Sequence, residues 1–478
     1  MNKTFHYYLN GEWKKSRTGE TIGIISPYLH EEVGRVQAMS QDEIDESIAM
    51  ATQAQIKWAK QGVRKRGEIL YKWIEELLKV KEEIAETIMK EVGKSYSDSL
   101  REVERTTEFI RYTIEEATHM HGVSMLGENF PGGNRSKIAN IHLVPLGVIL
   151  AISPFNYPLN LSAAKIAPAL ISGNSVIFKP ATQGALSGCM MIEALDRAEL
   201  PAGVLNLVTG RGSVIGDYLV EHPGIKMISF TGGTKNGMHI AEKAKMVPLV
   251  MELGGKDPAI VRQDADIAYT TKQIVAGAYS YSGQRCTAIK RVLVDETIAD
   301  ELAENLKKEV EGLSVGSPND NKTIVPLIDD GSADFVQSLI DDALEKGAIL
   351  LTGNKRERNL IYPTLLDYVT EDMRIAWEEP FGPVLPIIRV KSDEQAITLA
   401  NQSEFGLQAS IFTHDISKAL QISQELETGT VQINGRTERG PDHFPFVGVK
   451  GSGTGTQGIR NSIESMTREK VTVINLYE

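Results

Sequence analysis

Cys286 lies in Ser282-Gly283-Gln284-Arg285-Cys286-Thr287, a polar, glycine-containing loop with a cation beside the thiol. A neighbouring guanidinium and a helix end both favour thiolate, the nucleophilic form of cysteine. The other cysteine, Cys189, stands among Met190, Met191 and Ile192 on a predicted helix and reads as a small buried hydrophobe. Glu252 closes the apolar run Leu249-Val250-Met251 and precedes Leu253-Gly254-Gly255. A partly buried carboxylate there suits a base that activates water; the alternative is a strand-end charge turned to solvent. Asn156, in Ser153-Pro154-Phe155-Asn156-Tyr157-Pro158, offers an amide donor at another strand end, although its local sequence reads equally as a turn.

These side chains need elements to hold them. Apolar runs at Val148–Ile152, Ser175–Phe178, Val204–Val208, Met227–Phe230 and Leu249–Glu252 alternate with helical patterns near 160–171, 184–198, 213–221 and 235–245. Short, fully apolar strands separated by helices predict a parallel sheet covered on both faces. Ligands of such sheets bind at the strands' carboxyl ends, which here carry Asn156, Lys179, Gly210, Gly232 and Glu252.

Upstream, Asn10-Gly11 between apolar residues signals a tight hairpin. Ser40 and Glu43 form a capping box ahead of Ile44, Ile48, Ala51 and Trp58, and helical stretches follow near 64–91 and 97–117. Arg105 falls about 200° around its helix from Val103, off the apolar stripe. Beyond Lys256 the strand–helix alternation restarts, with helices near 266–282, 297–312 and 394–401 and strands at Arg291–Val294 and 384–390. Residues 122–146 and the terminal Val471–Leu476 read as an arm and an edge strand able to extend a neighbouring subunit's sheet.

Composition bounds the alternatives. A 478-residue chain with 41% hydrophobic and 24% charged residues is globular and too long for one core. Its net charge of −12 would repel nucleic acid, so affinity for a phosphorylated ligand must come from local basic groups. Two cysteines make no disulfide framework, and no metal site is expected. The N-terminus lacks the apolar stretch of a signal peptide and no run approaches the ~20 residues of a spanning helix, so the reading is cytoplasmic with no membrane partner.

Six segments, in order, resemble the aldehyde dehydrogenase superfamily. They are Ser153–Pro158, Phe178-Lys179-Pro180, Phe230-Thr231-Gly232-Gly233-Thr234, Glu252-Leu253-Gly254-Gly255-Lys256, Gly283-Gln284-Arg285-Cys286 and Glu379-Pro380-Phe381-Gly382-Pro383. The resemblance implies an α/β fold with three parts. A Rossmann-type cofactor domain would span 1–119 and 144–251, a second α/β catalytic domain 252–440, and a small β oligomerisation arm 120–143 and 460–478. Homo-oligomers are usual, as dimers or as dimers of dimers (homotetramers).

It also implies roles. Cys286 attacks an aldehyde, Asn156 and the Cys286 N–H hold the oxyanion, and Glu252 activates water to hydrolyse the thioester. Lys179, Thr182, Gly210, Thr231, Gly232, Gly237, Glu379 and Phe381 would bind the cofactor. There is no G-x-G-x-x-G, and Gly233 stands where many relatives carry Ser or Thr. NAD-preferring relatives commonly place a glutamate near Thr182; with a hydroxyl there and Lys179 supplying charge, NADP is expected.

The chain looks most like the non-phosphorylating glyceraldehyde-3-phosphate dehydrogenases. That likeness assigns the substrate phosphate to Arg105, Tyr157, Arg285 and Arg439. Several arginines suit a dianion because each presents paired planar donors; for Arg105 alone, a solvated arginine is the simpler reading. The competing readings are a dehydrogenase of another small anionic aldehyde (a semialdehyde or sulfo-aldehyde), transfer of the acyl group to coenzyme A, and a catalytically silent oligomeric binding protein on the same scaffold. The carboxylate at Glu252 counts against coenzyme A, and the joint presence of Cys286, Glu252 and Asn156 counts against a silent scaffold.

Overall fold

A computed structural model describes residues 3–476; the outermost ends of the expected first domain and terminal arm, 1–2 and 477–478, lie outside the described residues. Tyr7–Leu9 and Glu12–Lys14 pair antiparallel about Asn10-Gly11, whose φ angles of 51° and 83° are those the turn demands. The helix Gln41–Trp58 begins with both halves of the Ser40/Glu43 capping box in place. Where one helix was expected over 64–91 there are two, Val63–Lys79 and Lys81–Val92, broken at Val80. Leu77 and Ile84 are both buried and seven residues apart, so the apolar stripe runs through the break without registering it.

The five apolar runs form the parallel centre of an eight-stranded sheet. In spatial order these strands are Leu249–Glu252, Met227–Thr231, Val148–Ile152, Ser175–Lys179 and Leu205–Leu207. The earliest, Val148–Ile152, lies between strands reached in opposite directions, which creates a crevice at the carboxyl ends. Every residue of Val148–Ile152, Ser175–Lys179 and Met227–Thr231 is buried, as is the whole helix Asn160–Ile171 on one face.

A seven-stranded second sheet follows, ordered Ile349–Thr352, Thr364–Asp367, Val384–Val390, Arg291–Asp295, Pro258–Val261, Gln408–Phe412 and Thr430–Ile433; all but the first run parallel to their neighbours. The pattern missed Pro258–Val261, four residues long and opening on the proline tolerated at a strand's first position. The helix expected over 266–282 ends at Tyr279, because Tyr281 and Ser282 take left-handed backbone angles and turn the chain towards Cys286.

Thr467–Asn475 pairs with Lys137–Pro145 through nine residues, and Val123–Leu126 flanks the other side. The terminal strand is therefore an edge of this chain's own three-stranded sheet. Residues 460–465, expected in the arm, instead belong to the helix Ile459–Ser465, whose Ile459 and Ile463 are buried against the main body. Among the described residues no helix is long and apolar enough to cross a membrane, and no group of three or more His, Cys, Asp or Glu side chains could hold a metal.

Candidate active site

A cleft of about 910 Å³ opens at the carboxyl ends of the first sheet, with Cys286 in its wall. Asn156, Lys179, Thr182, Thr231, Gly232, Glu379 and Phe381 line it. Two predicted glycines do not. Gly237 packs its helix, Thr234–Lys243, against Leu253, whose side chain a Cβ would meet at 2.3 Å. Gly210 belongs to a smaller neighbouring cavity of about 360 Å³, while Gly212, Ser213 and Gly216 take the place expected of it in the cleft. Sequence proximity to a strand end does not say which way a backbone faces.

The cleft fits a dinucleotide phosphate. Gly212, Gly216 and Gly233 border open space, and the helix starting at Thr234 has no side chain capping its N-terminus, so its free N–H groups are available to an anion. Lys179 is only 5% exposed, and burial pushes its pKa down to about 8. Its one hydrogen bond, 3.4 Å to the Pro180 carbonyl, is long, and no carboxylate pairs with it among the described residues. A buried cation without a counter-ion is costly and is relieved by an anionic ligand. Across the cleft, Glu379 accepts from the Gly255 N–H at 3.1 Å and pairs with Lys290 at 3.1 Å. Phe381 meets Phe155 edge-on at 6.0 Å.

The surroundings of Cys286 differ from the expectation of a thiolate. Burial pushes the Cys286 thiol up to about 11, and Glu252, Glu379 and Asp257 add to the rise. Lys290, which donates to the Cys286 carbonyl, is the cation that opposes it. Arg285 turns away: its guanidinium donates to the Gly277 carbonyl, and its buried Nε has no protein partner. Adjacency in sequence put a charge beside the thiol; the side chain's direction removed it. Asn156 is 4% exposed and donates to the Gln284 carbonyl at 3.0 Å, which fixes its amide beside the Cys286 loop.

Glu252 is held at both oxygens. Oε2 accepts from the Thr231 hydroxyl at 2.8 Å, and Oε1 pairs with Arg439 Nη1 at 2.8 Å. Thr231 in turn accepts from Lys165 at 2.6 Å. Lys165 was missed, although a lone lysine in an otherwise apolar helical segment is a legible signal of buried polar function. Its pKa is pushed down to about 8 by burial.

Of the four residues expected around a substrate phosphate, Arg105, Tyr157 and Arg439 come together. Arg105 grips Asp442 through Nε and Nη2, both at 2.8 Å, and also donates to the Arg439 carbonyl. Arg439 lies 3.7 Å from the same Asp442, donates to Gln457 at 3.0 Å and sits over the Phe446 ring. Tyr157 is near enough to Arg105 to interact electrostatically, and Lys94 lies 3.7 Å from its ring centroid. The Tyr157 hydroxyl has no hydrogen bond among the described residues. Nothing in the local sequence marks Asp442 or Lys94, because Arg105 lies 337 residues from Asp442 and Lys94 meets Tyr157 only through tertiary packing.

This architecture matches known proteins throughout its length. The model of the aldehyde dehydrogenase family matches residues 13–472. An NADP-dependent glyceraldehyde-3-phosphate dehydrogenase of Streptococcus equinus is 52% identical, covering 100% of both chains. A 3-sulfolactaldehyde dehydrogenase of Priestia aryabhattai is 35% identical over 99% of this chain and 98% of its own. Among solved structures, NADP-dependent glyceraldehyde-3-phosphate dehydrogenase from Bacillus halodurans C-125, complexed with NADP, superimposes with a TM-score of 0.99 at 59% identity, covering 100% of both chains. With a parallel-sheet cleft, a cysteine in its wall and similarity over its whole length, this chain belongs to the aldehyde dehydrogenase family.

Proposed function

We propose that this chain oxidises D-glyceraldehyde 3-phosphate irreversibly with NADP and water, yielding 3-phosphoglycerate. The observation that carries the reading is the meeting of Arg105 and Arg439 at Asp442, beside the unbonded Tyr157 hydroxyl and next to Glu252. Two guanidinium groups gathered at one carboxylate, with a phenol near Arg105, match a phosphate dianion. Lys179, with Thr182 beside it, suits the extra phosphate that separates NADP from NAD.

Cys286 Sγ, once deprotonated, adds to the aldehyde carbon to give a thiohemiacetal. Its oxyanion accepts from the Asn156 amide and the Cys286 N–H. NADP, when bound, supplies the hydride acceptor. Glu252 then takes a proton from water as the water oxygen attacks the thioester carbon, and the C–S bond breaks to return the thiol. The product leaves as a carboxylate, which makes the reaction irreversible.

The same arginines would accept a sulfonate, and the 35% identical sulfolactaldehyde enzyme makes that the second reading. The higher identity, 52%, favours the phosphorylated substrate. We assign the cofactor domain to 1–119 and 144–251, the catalytic domain to 252–440, and the arm to 120–143 with the strand that closes the chain. The arm exposes Val123, Met125, Phe130 and Val473, an apolar face suited to a homotetramer built as a dimer of dimers. A reaction that needs a free thiol suits the reducing cytoplasm. NADPH formation from glyceraldehyde 3-phosphate without inorganic phosphate tests the reading. NADPH and 3-phosphoglycerate are expected in equal amounts, and a requirement for phosphate would refute it.

A further inference from the structure

Resting on the phosphate reading above, we infer that the substrate's phosphate releases the hydrolytic base: Arg439 holds Glu252 in an ion pair until a dianion displaces it. Both Glu252 oxygens are engaged, one by Arg439 and the other by Thr231, so the carboxylate cannot turn towards a water without giving up a partner. The pair is shielded from solvent, with side chains 13% and 6% exposed, so water does little to weaken it. Arg439 commits Nη1 to Glu252 and Nη2 to Gln457, with Nε 3.7 Å from Asp442. Arg105 holds Asp442 through Nε and Nη2, which keeps the two guanidinium groups at one carboxylate. A phosphate dianion that draws the Arg439 guanidinium to itself competes directly with Glu252 for it.

Entry of the phosphate and release of Glu252 are thus one exchange of partners. Binding energy from a part of the substrate remote from the reacting carbon is converted into readiness for hydrolysis. Arg439 is in this respect a positioning residue for Glu252 as well as a phosphate ligand. An aldehyde lacking the phosphate should acylate Cys286 and then stall.

The test uses the whole enzyme with saturating NADP, D-glyceraldehyde as the truncated substrate, and phosphite dianion as the probe. Rapid mixing should show a burst of NADPH of about one per active site, then a slow phase limited by thioester hydrolysis. Phosphite should raise the slow phase about tenfold, a fraction of the hundredfold or more that a positioned base supplies, with glycerate as product and the burst unchanged. Arg439→Ala should show a faster basal slow phase than the wild type and no response to phosphite. A wild-type slow phase indifferent to phosphite, or an acceleration confined to the burst, would overturn the coupling even if glyceraldehyde 3-phosphate turns over normally. Failure to turn over glyceraldehyde 3-phosphate itself would instead remove the reading beneath it. Should Arg439→Ala not fold, the wild-type titration alone decides.

Discussion

Replacing Lys179 with methionine should stabilise the cofactor-free protein while weakening NADP alone. Methionine keeps most of the apolar stem and removes the ammonium. Burial has lowered the lysine's pKa from 10.5 to about 8 without a compensating carboxylate. The sign follows from proton linkage: between about 8 and 10.5 the unfolded chain binds a proton that the folded one has lost, so stability rises with pH across that window. Below it, the folded protein carries the full penalty, on the order of 3 kcal/mol for a shift of this size. Lys179→Met removes it, so the melting temperature without cofactor should increase at pH 7, and the wild type should close the gap on approaching pH 10. On the proposed reading, the same ammonium is the donor to the 2′-phosphate. A charge-assisted hydrogen bond contributes about 1.5–3 kcal/mol, so kcat/KM for NADP should fall roughly 10- to 100-fold, with that for NAD nearly unchanged. For the wild type, KM for NADP should increase above about pH 8 as Lys179 loses its proton. Steady-state kinetics with both cofactors and calorimetry across pH read these effects. Equal losses with NAD and NADP, or an unstabilised variant that still prefers NADP, would refute the reasoning.

Three other perturbations bear on the chemistry. With the Cys286 thiol pushed up to about 11, alkylation of the cofactor-free enzyme by iodoacetamide should keep accelerating through pH 9 and 10; a plateau near pH 7 would contradict the burial argument. Glu252→Ala should yield about one NADPH per active site and then stall, leaving a thioester visible by mass spectrometry, and acid release at the normal rate would remove Glu252 from the base's role. Arg105→Ala, which leaves Asp442 to Arg439, should raise KM for glyceraldehyde 3-phosphate by about tenfold or more while sparing neutral aldehydes; equal losses for both would argue against a phosphate recess.

Some of this molecule is decided within a few residues of chain. Runs such as Val148–Ile152 and Met227–Thr231 are strands because continuous apolar sequence of that length has to be buried on both sides, and the Asn10-Gly11 turn and the Ser40/Glu43 cap follow from equally local bonding. The placement of Asn156, Lys179 and Glu252 at strand ends came with them. The direction and company of side chains did not. Arg105 meets Asp442 across 337 residues, and Glu252 meets Arg439 across 187. The Cys286 thiol is pushed up because the fold desolvates it in the cleft wall near carboxylates while Arg285 points to Gly277. Gly237 faces Leu253, and Gly210 another cavity. Ion pairing and desolvation depend on distances of a few ångströms between distant segments, and a one-dimensional pattern carries no record of which segments packing will bring together.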